Sequence, residues 1–158
     1  MHHKHISFSK KLNLESFFLL IKLENDIYSN KLQKNFLLEQ IKELINSGLK
    51  NLEISWSKNT SWLDLVSNIK IKYPDINLGS ASIVNKQSIE DSIKIGLKFS
   101  MMKFWDKDLF IYAKKKNYLL IPGVKNLKDL KEAINLKCKI IKIYPIKNKD
   151  KLIEINKY

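Results

Sequence analysis

Short apolar runs alternate along this chain with longer stretches whose apolar residues recur at helical spacing. The short runs fall at residues 17–23, 51–56, 76–81, 98–102, 118–121 and 139–144, each of strand length. Between them the pattern predicts helices over 32–47, 61–72, 86–95, 107–116 and 127–136. In the first of these, Phe36, Leu37, Ile41, Leu44 and Ile45 are expected on one face. Gly48 and Gly96 stand where helix C-caps belong, each followed by Leu-Lys and then a strand. The lettering recurs: Ser47-Gly48-Leu49-Lys50, Ile95-Gly96-Leu97-Lys98, then Asn135-Leu136-Lys137 without the glycine.

Repeated strand–helix units imply a parallel sheet with right-handed crossovers, either an open doubly wound sheet or a (β/α) barrel. No Gly-rich loop follows the first strand, so a dinucleotide fold lacks its usual signal. The expectation is therefore an α/β protein of the (β/α) TIM-barrel type, incomplete, with about six strand–helix units where a closed barrel needs eight. Residues 1–158 are read as one domain, with 1–14 as a flexible N-terminal segment or helix.

Composition changes this picture little. The apolar share of 44% and charged share of 28% are those of an ordinary globular domain. No apolar stretch is long enough to span a bilayer, and Met1-His2-His3-Lys4-His5-Ile6 does not read as a secretory leader. A lone Cys138 forms no internal disulfide and suits a reducing cytoplasm. The net charge of +13 points at first to nucleic acid. However, all 29 basic residues are lysines spread along the chain, and the bidentate fork of arginine is wholly missing. A nucleic-acid partner is not expected, nor is a membrane. His2, His3 and His5 lack a neighbouring carboxylate or cysteine and make a poor metal site, so no metal is expected.

The chemistry lies in the charges that interrupt apolar strands. A buried parallel strand should be almost wholly apolar, yet three of these runs carry Lys22, Glu53 and Lys142. In a barrel, inward positions from different strands converge toward the C-terminal mouth. A lysine there, made neutral by burial and a neighbouring cation, can attack a ketone, and a glutamate can shuttle the protons. Taken alone, a lysine at a strand end is more often a snorkelling surface residue, and a glutamate there more often its partner, than a catalytic group.

The motifs around these residues resemble the KDPG/4-hydroxy-2-oxoglutarate aldolase family. Leu52-Glu53-Ile54-Ser55 is similar to the family's Ile/Leu-Glu-Val-Thr, and Leu78-Gly79-Ser80-Ala81-Ser82-Ile83-Val84 to its Gly-Ala-Gly-Thr-Val-Leu. Leu120-Ile121-Pro122-Gly123-Val124 matches the ending of strand five, and Ile141-Lys142-Ile143-Tyr144-Pro145 is similar to Val-Lys-Phe-Phe-Pro. Ile21-Lys22 stands where many members carry Ile-Arg. These motifs come in family order and cover about residues 17 to 147. The resemblance implies a class I, Schiff-base lyase that needs no cofactor and cleaves a 2-keto-4-hydroxy acid to pyruvate and an aldehyde. Lys142 would form the imine, Glu53 would be the acid/base, and Lys22, Ser82, Pro122, Gly123 and Lys58 would contact substrate. It also implies a homotrimer.

The chain departs from the family in three places. The family's arginine four residues past the glutamate is Ser57 here, followed by Lys58, a point charge in place of a fork. The family's Phe-x-Val-Ser-Pro-Gly becomes Phe99-Ser100-Met101-Met102-Lys103-Phe104. The sequence also stops 13 residues after Pro145, with 151–158 expected as a sixth helix and no strands seven and eight. The phosphate-cradling loops would go with those strands, which favours an unphosphorylated 4-hydroxy-2-oxoglutarate. Two other readings stand beside the enzyme: a non-catalytic aldolase remnant that binds a partner, and a lysine-rich nucleic-acid binder.

Overall fold

A computed structural model of the chain describes residues 18–145 and residue 153. The expected N-terminal segment 1–14, the histidines at 2, 3 and 5, residue 17 of the first strand and the sixth helix (except Ile153, which is helical) lie outside the described residues. The strands are β1 (Leu19–Ile21), β2 (Asn51–Ser55), β3 (Asn77–Ile83), β4 (Phe99–Met102), β5 (Leu119–Ile121), β6 (Gly123–Val124) and β7 (Lys142–Ile143). The helices are α1 (Lys31–Asn46), α2 (Ser61–Lys72), α3 (Lys86–Lys94), α4 (Lys107–Lys115) and α5 (Leu127–Asn135), with a 3-10 turn at Asn25–Tyr28. Every predicted strand run and every helix over 32–136 is found, with ends moved by a few residues.

Among the described residues all pairings are parallel, in the order β1-β2-β3-β4-β5, and β6 pairs with β7. Only Pro122, which has no N–H to give to a ladder, separates β5 from β6, so the strands occupy six successive positions. Curvature follows from two contacts across the sheet. Phe18, beside the edge strand β1, meets Phe99 of β4 edge to face, with ring centroids 6.0 Å apart. Lys142 of β7 reaches within 3.7 Å of Glu53 of β2, four strand positions away. On a flat sheet those strands would stand about 19 Å apart. Among the described residues the sheet is curled into an incomplete (β/α) barrel.

Two apolar layers sit behind the strands. Leu52, Ile54 and Leu78 pack with Leu37 and Ile41 of α1 and with Trp62, Leu65, Val66 and Ile69 of α2. Ile83, Met102 and Leu120 pack with Ile89 of α3 and with Leu109, Phe110 and Ala113 of α4. The inner face holds Phe99, Met101 and Ile121, with Phe18, Leu119 and Ile140 against them. The single apolar face expected for α1 needs correcting. Leu37 and Ile41 are buried, but Phe36 is 65% exposed and Leu44 38% exposed. Phe36 lies about 100° round the helix from Leu37, off the buried stripe.

The helix ends explain the repeated lettering. Gly48 and Gly96 take φ of +100° and +68°, and the third junction puts Lys137 in the same left-handed region at +60°. Each closes its helix with the same two bonds, for example Gly48 N–H to Ile45 C=O at 3.0 Å and Leu49 N–H to Leu44 C=O at 3.0 Å. Asn30, Asn85, Asp106 and Asn126 cap the starts of α1, α3, α4 and α5 with side-chain oxygens.

A buried hydroxyl chain links the sheet to α3. The Ser92 hydroxyl donates to the Ser88 carbonyl at 2.7 Å, so its one proton is committed. Ser80 must then donate to Ser92 at 2.7 Å, Ser100 to Ser80 at 2.5 Å and Tyr118 to Ser100 at 2.7 Å. No described helix is long and apolar enough to cross a membrane.

Candidate active site

Glu53 is placed by strand alternation. Leu52 and Ile54 face the helices, which turns Glu53 to the inside of the curled sheet, where it is 2% exposed. Gly79 is its register partner on β3 and carries no side chain into that space. A Cβ on Gly79 would lie 2.4 Å from Cζ of Phe99, so the ring occupies the place a side chain would take.

Lys142 arrives from the other end of the sequence. Its N–H donates to the Pro122 carbonyl at 2.9 Å, and the Tyr144 N–H donates to Val124 at 2.8 Å. Gly123 pairs with Lys142 in register. A Cβ there would stand 2.7 Å from the Met102 carbonyl and 3.0 Å from that of Lys103, so only glycine lets the backbones come together. Pro122 and Gly123, expected on substrate, thus dock the lysine strand beside the end of β4.

The ammonium of Lys142 lies 3.7 Å from Oε2 of Glu53, at ion-pair but not hydrogen-bond distance. That carboxylate oxygen is buried and has no hydrogen-bond partner among the described residues. Burial raises the Glu53 pKa above its ordinary value, and the attraction of Lys142 opposes the rise without cancelling it. The Lys142 side chain keeps 33% of its surface exposed, with its ammonium 5.9 Å from the centre of the Tyr144 ring. The pair is therefore a buried proton acceptor beside a lysine that remains reachable from solvent.

The other expected residues do not join this pair. Lys22 is exposed just past β1 and lines a recess with Gln33, Phe36 and Gln40 of α1. Its strand ends at Ile21, before the inward alternation reaches it, and the Leu23 N–H turns aside to the Ser55 hydroxyl at 3.1 Å. Lys58 is exposed in the loop after β2 and lines a separate hollow of 390 Å³ with Trp56, Asp91 and Lys94. Ser82, at the end of β3, is half-buried at φ +60°, where the pairing with β4 slips between Ser80 and Ile83. Its left-handed backbone bends the strand end.

Sequence reasoning gave no role to Tyr144, although it follows Lys142 by two residues and so shares its side of the strand. Tyr28 was also missed, and nothing in its local pattern singles it out. Burial raises the pKa of its phenol, with the Ser57 hydroxyl pulling the other way. Ser57 is the position where the resemblance led one to expect arginine. Among the described residues no three His, Cys, Asp or Glu side chains gather as a metal site would require.

A curled parallel strand–helix sheet with a lysine reaching a buried carboxylate inside it defines a protein of the (β/α)-barrel class. Residues 25–156 match the family model for KDPG and KHG aldolases, and the chain belongs to that family. It is similar to the 2-dehydro-3-deoxy-phosphogluconate aldolase of Pseudoalteromonas atlantica, with 25% identity over 104 residues, 66% of this chain and 48% of that protein. The chain thus spans about half the length of this curated relative. Its fold resembles the crystal structure of the 2-keto-3-deoxy-6-phosphogluconate aldolase of Zymomonas mobilis with 3-phosphoglycerate. That match has a TM-score of 0.72 at 19% identity and covers 89% of this chain and 62% of that one. The KDPG aldolase of Legionella pneumophila, with pyruvate captured as a covalent carbinolamine, gives a TM-score of 0.64 at 20% identity. It covers 81% of this chain and 57% of that one.

Proposed function

We propose that this chain is a class I aldolase that cleaves a 2-keto-4-hydroxy acid to pyruvate and an aldehyde through an imine on Lys142. The observation that carries the reading is the 3.7 Å approach of Lys142 to the buried Glu53. A carboxylate made more basic by burial takes a proton from the lysine ammonium, leaving an amine able to attack. The amine nitrogen bonds to the C2 keto carbon, and Glu53 returns its proton to the C2 oxygen, so that the carbinolamine expels water to give a protonated imine. Glu53 then removes the proton of the C4 hydroxyl. The C3–C4 electron pair moves into the imine, the aldehyde departs and an enamine remains. Protonation at C3 and addition of water return pyruvate and the free lysine. Family membership supports this order of events, as does the carbinolamine in the Legionella structural neighbour.

The two substrates the family name suggests, 4-hydroxy-2-oxoglutarate and 2-keto-3-deoxy-6-phosphogluconate, are the candidates for this chain. In this proposal the protein works in the cytoplasm, without nucleic acid, membrane or cofactor, and as a homotrimer by its family resemblance. Lys22, Lys58, Ser82, Pro122 and Gly123 remain proposed substrate contacts, with Pro122 and Gly123 nearest to Lys142. The test is incubation with pyruvate and borohydride followed by peptide mass spectrometry. A reduced pyruvyl adduct on Lys142, lost in Lys142→Ala and slowed in Glu53→Gln, is expected. A folded protein that gains no adduct overturns the proposal and leaves the non-catalytic reading.

A further inference from the structure

On the N-terminal side of the β6–β7 pairing lies a cavity of 140 Å³ between α4, β5 and the approach to β7. It exists because β6 and β7 pair only from Gly123 and Lys142 upward. Below Pro122 the chain at 138–140 stands away from β5, and among the described residues the wedge between them is left open. The floor is apolar, formed by Phe110, Leu119, Leu120, Ile140 and the ring of Tyr118, whose hydroxyl is tied to Ser100 at 2.7 Å. The rim carries Lys114, Lys137 and Lys139, and among the described residues no Asp or Glu lines it. Cys138 also lines it, and burial pushes its thiol up to about 11, so the sulfur adds no negative charge.

A second observation is independent of the cavity's shape. Four helix-to-strand junctions adopt a left-handed residue: Gly48, Gly96, Asn117 and Lys137. Glycine takes that conformation without strain, and a lysine does not. The two junctions that keep a side chain, Asn117 at φ +54° and Lys137 at φ +60°, are the two residues of this kind that line the cavity. Asparagine takes that region at little cost, so the strain is retained at Lys137, where glycine would relieve it, and it points to a role for the lysine side chain.

We propose that this cavity is a second binding site, for a monoanion with a compact apolar body of about six carbons, as in an aromatic or short branched carboxylate. An apolar cavity of about 150 Å³ is known to admit a benzene ring, which sets the size of the body. The three rim lysines take the carboxylate, and Asn117 supplies an amide beside them. The site is separate from the Glu53–Lys142 pair and does not rest on the aldolase reading.

The probe is sodium benzoate, with benzyl alcohol as its uncharged counterpart, titrated into the full chain. Thermal midpoint and the methyl resonances of Leu119, Leu120 and Ile140 are followed together. Benzoate is expected to saturate at about millimolar concentration and to shift those methyls, while benzyl alcohol binds at least about fivefold more weakly for want of the ion pairs. Lys137→Gly separates structure from function, since it should raise the unliganded midpoint and yet weaken benzoate severalfold. Cys138→Phe should fill the cavity and abolish binding, and Lys137→Gly decides the matter if that variant fails to fold. Equal affinity for the two probes, undiminished benzoate binding in Lys137→Gly, or shifts confined to Met101 and Ile143 would each overturn the proposal.

Discussion

Replacing Gly79 by alanine should destabilise this protein out of proportion to the single methyl it adds. The new Cβ would lie 2.4, 2.5 and 2.8 Å from Cζ, Cε2 and Cδ2 of Phe99. Carbon atoms in contact settle near 3.5 Å, so the ring must retreat by about 1 Å. It has nowhere to go: Phe99 is fully buried, packed with Met101 and Ile121 and edge-on to Phe18 at 6.0 Å. Overpacking of this kind costs about 1–3 kcal/mol, and three ring carbons in conflict put Gly79→Ala toward the upper end. For a domain of this length that lowers the thermal midpoint by about 4–12 °C. The decisive assay is a double-mutant cycle with Phe99→Leu, read from urea midpoints. If the ring is the obstacle, shortening it makes room for the methyl, and the double variant should be more stable than the two single losses predict by about 1 kcal/mol or more. Additive losses, or a Gly79→Ala midpoint within 2 °C of wild type (about 1 kcal/mol or less), would refute the reasoning.

The pH dependence of stability should carry the signature of Glu53. Its carboxyl holds a proton more tightly in the folded chain than in the unfolded one. The stabilisation this gives is complete below the ordinary value of 4.5 and is lost as pH rises through the higher folded value. Wild type should therefore lose ground to Glu53→Gln as urea midpoints are taken from pH 4 upward, about levelling off once the folded pKa is passed; a wild type that gains on the variant with pH contradicts the assignment. Lys142→Met removes the attraction that holds the value down and should carry this loss to higher pH, which the same titration checks. The hydroxyl chain gives an asymmetric pair. Ser80→Ala strips Ser100 of its acceptor and Ser92 of its donor in a buried site and should cost about 2–3 kcal/mol, whereas Tyr118→Phe removes only the terminal donor and should cost about 1 kcal/mol. Equal losses in thermal unfolding would mean that the chain of donors runs otherwise.

Most of the architecture was legible because alternation and helical period report burial directly. Each apolar run became a strand position, and Gly48 and Gly96 closed α1 and α3 as their placement predicted. Glu53 and Lys142 were legible for the same reason, each being a charge where the period demands an apolar residue. Lys22 obeyed that rule too and still fell outside the pair. Its run ends in a strand of three residues, and where a short edge strand stops is decided by side-chain bonds such as Leu23 to Ser55, which no local pattern displays. Phe36 misled in the same way, since helical period gives an angle but not how far round the sheet reaches. The left-handed backbone at Lys137 was hidden because no sequence rule places a lysine there, although the repeated junction lettering marked the position.

The fold alone does not explain the Glu53–Lys142 pair. Glu53 is 2% exposed, its Oε2 has no hydrogen-bond partner among the described residues, and its cation sits at 3.7 Å with a third of its side chain in solvent. A buried ion pair offsets its desolvation only when its geometry is tight and its remaining lone pairs are satisfied; replacing such a pair by apolar residues is often neutral or stabilising by about 1–4 kcal/mol. Neither condition holds here. Leu20 and Gly79, the register neighbours of Glu53, are apolar, and leucine at position 53 would continue the layer. The arrangement is poor as a structural bridge. As chemistry it places a base with weakened acidity beside an amine that must lose a proton, at the distance of an ion pair and beyond that of a hydrogen bond. That distance is the strongest physical reason to look for covalent chemistry at Lys142.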